Sequence, residues 1–316
     1  MSLDLDFDPG QAAVAEAVGQ FCADHCSDEV VRSASESFPR ELWRGLAELG
    51  VLWAAAPNQE AGAVELCAAA EALGRAVFPG PLSATCVAVH ALPEPERAAV
   101  AEGRRLVALS ESAVVPWAGI ADLFLERVGD IVFRAEPAGQ VEGLETLAGD
   151  PWGRVPLQRG EALAASREAL SLGEIVRAAY LAGAGHRLVE DAAQHAAVRR
   201  QFGRAIGEFQ AVAHPLADVW IHLEAARGLA RAAAWEFARG GEETAYRAAV
   251  ARMSASRAAL DAVHVGHQVF GAVGITLEGP VFHVSRRIRQ LTSEPPSEAL
   301  ARSELRNRLG VGTASP

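Results

Sequence analysis

Apolar residues recur at helical spacing through most of the first hundred positions, and proline and glycine interrupt them at intervals. Between 38 and 51, Leu42, Trp43, Leu46, Leu49 and Val51 form a stripe close to the 3.6-residue period, and Gly50 is placed to end a helix. The same pattern predicts helices over roughly 9–26, 38–49, 61–76 and 81–92, with stops at Pro57, Pro79-Gly80 and Pro93. From Gly103 to Gln158 the texture changes to short β-prone runs, Leu106–Leu109, Leu123–Val128, Ile131–Arg134 and Val155–Leu157, broken by Gly, Pro and Asp. Some 55 residues are barely enough for a compact sheet with one protected face.

From Glu161 onward the chain is rich in Ala, Leu, Arg and Glu and carries strong helix propensity. Three long helices are expected near 165–199, 206–239 and 242–271. In the first, Val176, Tyr180, Ala184 and Leu188 repeat every four residues, while Arg177, Arg187, Glu190 and Asp191 fall elsewhere on the wheel. A fourth, shorter helix over about 279–291 carries Arg286, Arg287 and Arg289, and the tail beyond Pro295-Pro296 is expected to add one more before fraying at Gly312–Pro316. The fold class is mainly α: an N-terminal helical domain over 1–102, a reduced β domain over 103–160 and a C-terminal four-helix bundle over 161–316.

Composition narrows the partners. A chain of 316 residues, half of them hydrophobic, can bury a large core. Its 29 Lys+Arg against 40 Asp+Glu give a formal charge of −11, which repels nucleic acid and anionic membrane at long range. Any anionic ligand must therefore meet a local cluster of Arg. No apolar run approaches the roughly 20 residues that cross a bilayer, and the acidic start MSLDLDFDPG is unlike a basic secretory signal, so a cytoplasmic protein is expected. Cys22, Cys26, Cys67 and Cys86 do not form a dense disulfide framework and are expected to be reduced. Cys22 and Cys26 flank His25, but no second ligand pair follows, so a small apolar role on a helix is favoured over a metal site.

Two segments of the helical half carry candidate chemistry. One runs Arg199-Arg200-Gln201-Phe202-Gly203-Arg204-Ala205-Ile206-Gly207-Glu208-Phe209-Gln210. It ends one helix at an Arg pair, turns through Phe202-Gly203 and restarts a second helix, and dipole complementation alone would explain either Arg. The other runs Gln268-Val269-Phe270-Gly271-Ala272-Val273-Gly274 and places small residues in a turn where backbone amides can approach a ligand.

Together these segments resemble the acyl-CoA dehydrogenase pattern R-x-x-F-G-x-x-I-x-x-x-Q and Q-x-x-G-G-x-G at about that family's separation. Phe38-Pro39-Arg40-Glu41-Leu42-Trp43 through Leu49-Gly50-Val51, and Ala72-Leu73-Gly74-Arg75, are similar to its N-terminal helices. The chain looks like a short form with a reduced β domain, similar to the shorter subunit of heteromeric actinobacterial-type acyl-CoA dehydrogenases. The resemblance implies FAD as cofactor, with Arg199, Phe202, Gln210, Gln268, Gly271 and Ala272 reaching the adenosine and pyrophosphate end of a neighbour's FAD. A charge-assisted Arg contact suits a buried pyrophosphate. Ala272 departs from the family's second Gly.

The β-domain motifs that contact the flavin ring in the family, T-E-P-x-x-G-S-D and W-I-T/S, are not intact; the comparable stretch is Leu109-Ser110-Glu111-Ser112-Ala113-Val114-Val115-Pro116-Trp117-Ala118. The family's base, in a Y-E-G motif near the C-terminus, corresponds to Glu294 in Leu291-Thr292-Ser293-Glu294-Pro295-Pro296 only with one residue deleted. The alternative base position, early in the first long helix, brings Glu174 one residue late, and such a shift turns a helical side chain by about 100°. Either Glu can instead be an ordinary surface residue. His214, His264 and His267 read as satisfied core or interface groups rather than acids or bases.

By resemblance, the expected activity is FAD-dependent α,β-desaturation of an acyl-CoA or other acyl thioester, with electrons passed to an electron-transferring flavoprotein. The chain is expected to assemble as a homodimer or tetramer, or with a longer relative. The alternative is a non-catalytic partner subunit that completes the FAD site of a full-length relative. A third reading is a relative that has left redox chemistry for another reaction on an acyl or carrier-bound substrate.

Overall fold

The computed structural model describes residues 5–34, 37–59, 61–277, 279–294, 302, 305–306 and 308–310. The N-terminal region opens with α1 (Pro9–His25), whose start is fixed by a reciprocal cap: the Asp8 carboxylate accepts from the Gln11 amide, and the Gln11 side chain accepts from the Asp8 amide. The short α2 (Asp28–Ser33) follows, and α3 (Arg40–Glu48) stops just before Gly50, which sits at φ 77. After a 3₁₀ turn over Val51–Ala55 come α4 (Ala63–Arg75), α5 (Leu82–Ala91) and α6 (Glu96–Ala101). α2 and α6 are one to two turns long, too short for a period to show in the sequence.

The β region holds two small sheets. β1 (Val107–Ser110), β3 (Leu123–Val128), β4 (Ile131–Pro137) and β7 (Leu157–Ala162) form one, in the order β1-β3-β4-β7. β1 runs parallel to β3, and the other pairs are antiparallel. β2 (Val114–Val115), β5 (Glu142–Leu144) and β6 (Trp152–Arg154) form the second, in the order β2-β6-β5. Ala108, Val115, Ala118, Phe124, Ala135 and Val155 pack into one apolar cluster in this region. The strand expected over Val155–Leu157 is instead the break between β6 and β7: Pro156 has no amide to give a ladder, and Val155 turns inward.

The bundle consists of α7 (Ser166–Val198), the two-residue strands β8 (Arg200–Gln201) and β9 (Arg204–Ala205), α8 (Gln210–Ala238), α9 (Thr244–Phe270) and α10 (Pro280–Ser293). All four long helices lie within a few residues of their expected bounds. Val176, Tyr180, Ala184 and Leu188 are buried as their spacing predicts. Arg177 departs from the wheel reading, because it too is buried. α4 crosses α7 at very short range: a Cβ at Gly74 would overlap the Tyr180 backbone, and one at Gly183 the Glu71 backbone. These two glycines let the N-terminal helices sit directly on the bundle.

The four cysteines are free and buried. Among the described residues no cluster of His, Cys, Asp or Glu could hold a metal ion, and no helix is long and apolar enough to cross a membrane. The tail helix expected beyond Pro296 lies mostly outside the described residues.

Candidate cofactor and active site

One end of the bundle gathers all six residues of the two motifs. α7 and α9 finish side by side there, since the His195 and Phe270 rings stack with centroids 4.4 Å apart at 26°. Arg199 caps α7, and its carbonyl accepts from the Ile206 amide at 2.8 Å. Between them the chain makes the β8–β9 hairpin, whose two turn residues, Phe202 (φ 52) and Gly203 (φ 83), are both left-handed. Gln210 opens α8, Gln268 lies in the last turn of α9, and Gly271 at φ 58 starts the 3₁₀ turn Gly271–Ile275 that contains Ala272. Arg199, Phe202, Gln210, Gln268, Gly271 and Ala272 are all exposed.

Three arginines crowd this hairpin and differ in what they already do. Arg200 Nη2 donates to the Gly203 carbonyl at 3.2 Å and so closes the turn. The Arg204 guanidinium lies 4.0 Å from the centroid of the Phe209 ring. The Arg199 guanidinium has no hydrogen bond or ion pair among the described residues. In a chain of charge −11 it is a cation left for a ligand, tied through the Ile206 amide to the segment that leads into α8. Arg199, the α8 start and the left-handed Gly271 turn fit a phosphate-bearing group. Phe202 is 92% exposed and Ile275 69%, with Val198, Val273 and Leu277 exposed nearby. An apolar patch around a polar ligand site marks a contact surface.

The second group of residues lies where α7, α9, α10 and the β region meet. Glu294 follows α10 and is 7% exposed. Arg177 Nη1 donates to its carbonyl at 3.1 Å, and Nη2 stands 3.8 Å from its Oε1. Glu174 Oε2 lies 3.3 Å from Arg252 Nε, and Arg252 Nη2 donates to the Leu291 carbonyl at 3.1 Å. Arg287 Nη1 and Gln290 Nε2 each donate to the Asp150 carboxylate at 2.5 Å, while Gln290 Oε1 accepts from the Ala148 amide at 2.6 Å. Glu111 pairs with Arg127 at 3.0 Å. Burial pushes the Glu294 carboxyl above the usual glutamate range, against the pull of Arg177, and burial raises Glu111 likewise. Tyr180 donates to the Phe78 carbonyl at 2.9 Å, and burial raises its phenol as well.

The space beside Glu294 amounts to about 20 Å³, bounded by Phe78, Pro81, Ser83, Trp117, Tyr180 and Leu291. That is room for one water. Trp117 is buried there at φ 64, a backbone conformation bulky residues seldom adopt. On the other side, Ser83 Oγ donates to the Gly173 carbonyl at 3.0 Å, and a Cβ at Gly173 would come within 2.7 Å of Val87.

Both candidate carboxylates, Glu294 and Glu174, thus sit in one charge-balanced network, each facing its own arginine. Neither stands in a solvated first turn or on the surface. Arg177 and Arg199 are 22 positions apart on α7, which is roughly 33 Å of helix. The two groups of residues therefore do not face each other within one chain. Sequence reading missed Arg252, Asp150 and the partner role of Arg177; a buried arginine is legible only from its partner, and that partner lies more than a hundred residues away in the case of Glu294. His214 and His264 are exposed and His267 half-buried, at the same end of the bundle as Gln210 and Gln268.

Residues 8–93 match the family model described as acyl-CoA dehydrogenase, N-terminal domain, and residues 160–294 match that for the acyl-CoA dehydrogenase C-terminal domain. The chain is 31% identical over 311 residues to acyl-CoA dehydrogenase IpdE2 of Mycobacterium tuberculosis, covering 92% of this chain and 94% of the relative. It is 30% identical to acyl-CoA dehydrogenase FadE34 of the same organism, covering 87% of this chain and 44% of that one. Among solved structures it resembles a Tcur3481-Tcur3483 steroid ACAD variant, at 25% identity and TM-score 0.82 over 97% of this chain and 99% of that one. The ChsE4-ChsE5 complex from Mycobacterium tuberculosis shares the fold at 24% identity and TM-score 0.83, over 99% of this chain and 100% of that one.

Proposed function

The chain belongs to the acyl-CoA dehydrogenase family and is an FAD-dependent acyl-CoA dehydrogenase or a subunit of one; from that membership we propose that it works as one subunit of an assembly, its bundle end completing the FAD site of a longer relative. One contrast carries this reading. The phosphate-fitting end is exposed and its Arg199 uncommitted, whereas the junction around Glu294 is filled by Trp117 and bound arginines. The pairing of two differently named chains in the Tcur3481-Tcur3483 steroid ACAD supports a heteromer, and it also favours a bulky ring-bearing acyl thioester as substrate.

FAD when bound supplies the hydride acceptor for α,β-desaturation of the thioester. Arg199 would neutralise the pyrophosphate, with the Gly271 turn and the α8 start offering amides beside it. Gln210 and Gln268, at the starts and ends of neighbouring helices, would orient the adenosine end, and Phe202 would cover it. The exposed patch of Val198, Val273, Ile275 and Leu277 would lie against the partner and keep water from the phosphates. Electrons would leave to an electron-transferring flavoprotein, in the cytoplasm.

A second reading rests on Glu294 itself: a carboxyl raised by burial at the end of α10 is suited to take a proton from a thioester α-carbon, provided Arg177 and Trp117 move aside. Expressing the chain alone and with a longer relative, then recording visible absorption, separates the two. The subunit reading expects bound oxidised flavin only in the mixed assembly. A yellow, active protein purified alone would overturn it in favour of the Glu294 reading.

A further inference from the structure

Every one of the 29 basic residues is arginine, and lysine is absent from the sequence. The choice matters beside a thioester. A lysine amine that has lost its proton attacks the thioester carbonyl carbon: the C–N bond forms, the C–S bond breaks, and the thiolate leaves and takes up the proton that the nitrogen sheds. A guanidinium does not follow this path, because it keeps its proton and its charge at every working pH. Burial sharpens the difference. Arg177, Arg252 and Arg287 stand around the Glu294 junction with 4%, 1% and 4% of their surface exposed. A lysine so desolvated would have its pKa lowered and would present a neutral, nucleophilic amine beside the candidate carboxylates. Arginine supplies the charge there without the reactivity.

Thiols also accept an acyl group from a thioester, by exchange of one sulfur for another. Cys22, Cys26, Cys67 and Cys86 are all free, and they are packed into the core. Burial pushes the Cys22 and Cys86 thiols up to about 12 and Cys26 to about 11, and it raises Cys67 as well. Only the thiolate attacks, and for Cys22 and Cys86 it is more than about a thousandfold rarer at neutral pH than in an open thiol. Serine and threonine hydroxyls are poor acceptors unless a base activates them. Ser83 and Ser256, near the junction, donate to the carbonyls of Gly173 and Arg252 instead.

We infer that the folded chain carries no side chain that stably accepts an acyl group from a thioester, so that acylation neither damages it nor regulates it. Two unrelated features, a composition without lysine and four cysteines placed in the core, remove the same kind of group. The inference holds for either functional reading, since an acyl-CoA dehydrogenase subunit meets acyl thioesters whether or not it carries the base. Any covalent acyl mark on such an assembly falls on another chain.

The test exposes the folded chain to acetyl-CoA at mildly alkaline pH and reads the intact mass, with peptide mapping to place any adduct. Wild type is expected to gain no side-chain acetyl group, the amino terminus being scored separately. Arg257→Lys, at a position whose side chain is 82% exposed, is expected to gain one acetyl group. Iodoacetamide should leave all four thiols of the folded chain unmodified and alkylate all four in urea. An acetyl group on any side chain of folded wild type overturns the inference. So does an Arg257→Lys protein that stays unmodified, because the missing lysines are then not the cause. Alkylation of the thiols at the same rate with and without urea overturns it as well, since burial then does not silence them.

Discussion

A single guanidinium holds both ends of Glu294: Arg177 Nη1 donates to its backbone carbonyl at 3.1 Å, and Nη2 lies 3.8 Å from its carboxylate Oε1. The pair joins the first third of α7 to the end of α10. It also stands where a catalytic carboxylate is expected by resemblance, so the same residue is open to a structural and a catalytic test.

Breaking this pair leaves a buried charge without its partner. Arg177→Met is expected to destabilise the protein by about 3–5 kcal/mol, the usual cost of orphaning one member of a buried ion pair. Arg177→Met combined with Glu294→Leu should regain much of that loss. Urea unfolding of the three proteins checks it, and a single Arg177→Met variant as stable as wild type would contradict the pairing.

The pH dependence has a definite sign. Burial raises the Glu294 carboxyl above its unfolded value of about 4.3, so its titration adds stability below that value, and the contribution is lost as pH rises through the raised folded value. The stability of wild type relative to Glu294→Gln is therefore expected to fall with rising pH above about 4.3. Melting curves of both proteins over this window should diverge in that direction; parallel curves would mean the carboxyl does not titrate differently on folding.

Turnover separates the two functional readings. In an assembly whose longer chain carries a working base, Glu294→Gln and Glu174→Gln are both expected to be nearly silent. If Glu294 is instead the base, its Gln variant should lose roughly 10²–10⁴-fold in turnover while keeping flavin. Thioester-dependent reduction of an electron acceptor, measured with each variant, decides between them.

Arg199 and Arg200 are neighbours with different expected effects. Arg199→Ala should weaken flavin retention by roughly 1.5–3 kcal/mol, as for a hydrogen bond to a charged group. Arg200→Ala should matter less, since its guanidinium is spent on the Gly203 carbonyl. Equal flavin content in wild type and Arg199→Ala would remove Arg199 from the site.

The exposed apolar patch predicts association. Light scattering should give a mass of at least twice the 33.2 kDa chain, and Ile275→Asp should reduce it. A chain that stays monomeric at micromolar concentration both alone and mixed with a longer relative would count against every cross-subunit role assigned to the bundle end.

Local pattern was enough for the architecture. The four bundle helices, the stripe of Val176, Tyr180, Ala184 and Leu188, and the position of the β region were legible because each is written in residues close together in the chain, as a period or a breaker. The Arg199-to-Gln210 and Gln268-to-Ala272 segments were legible as motifs for the same reason. Their convergence was not, since the His195–Phe270 stack that brings the ends of α7 and α9 together joins residues 75 positions apart. Nor could sequence foresee that Arg177 would be buried: on a helical wheel it reads as polar, and only the return of α10 supplies the Glu294 that lets a charge leave water. Sequence fixes which side chains a helix turns to one face, but the electrostatic worth of each depends on what another part of the chain places opposite it, and that was decided by packing alone.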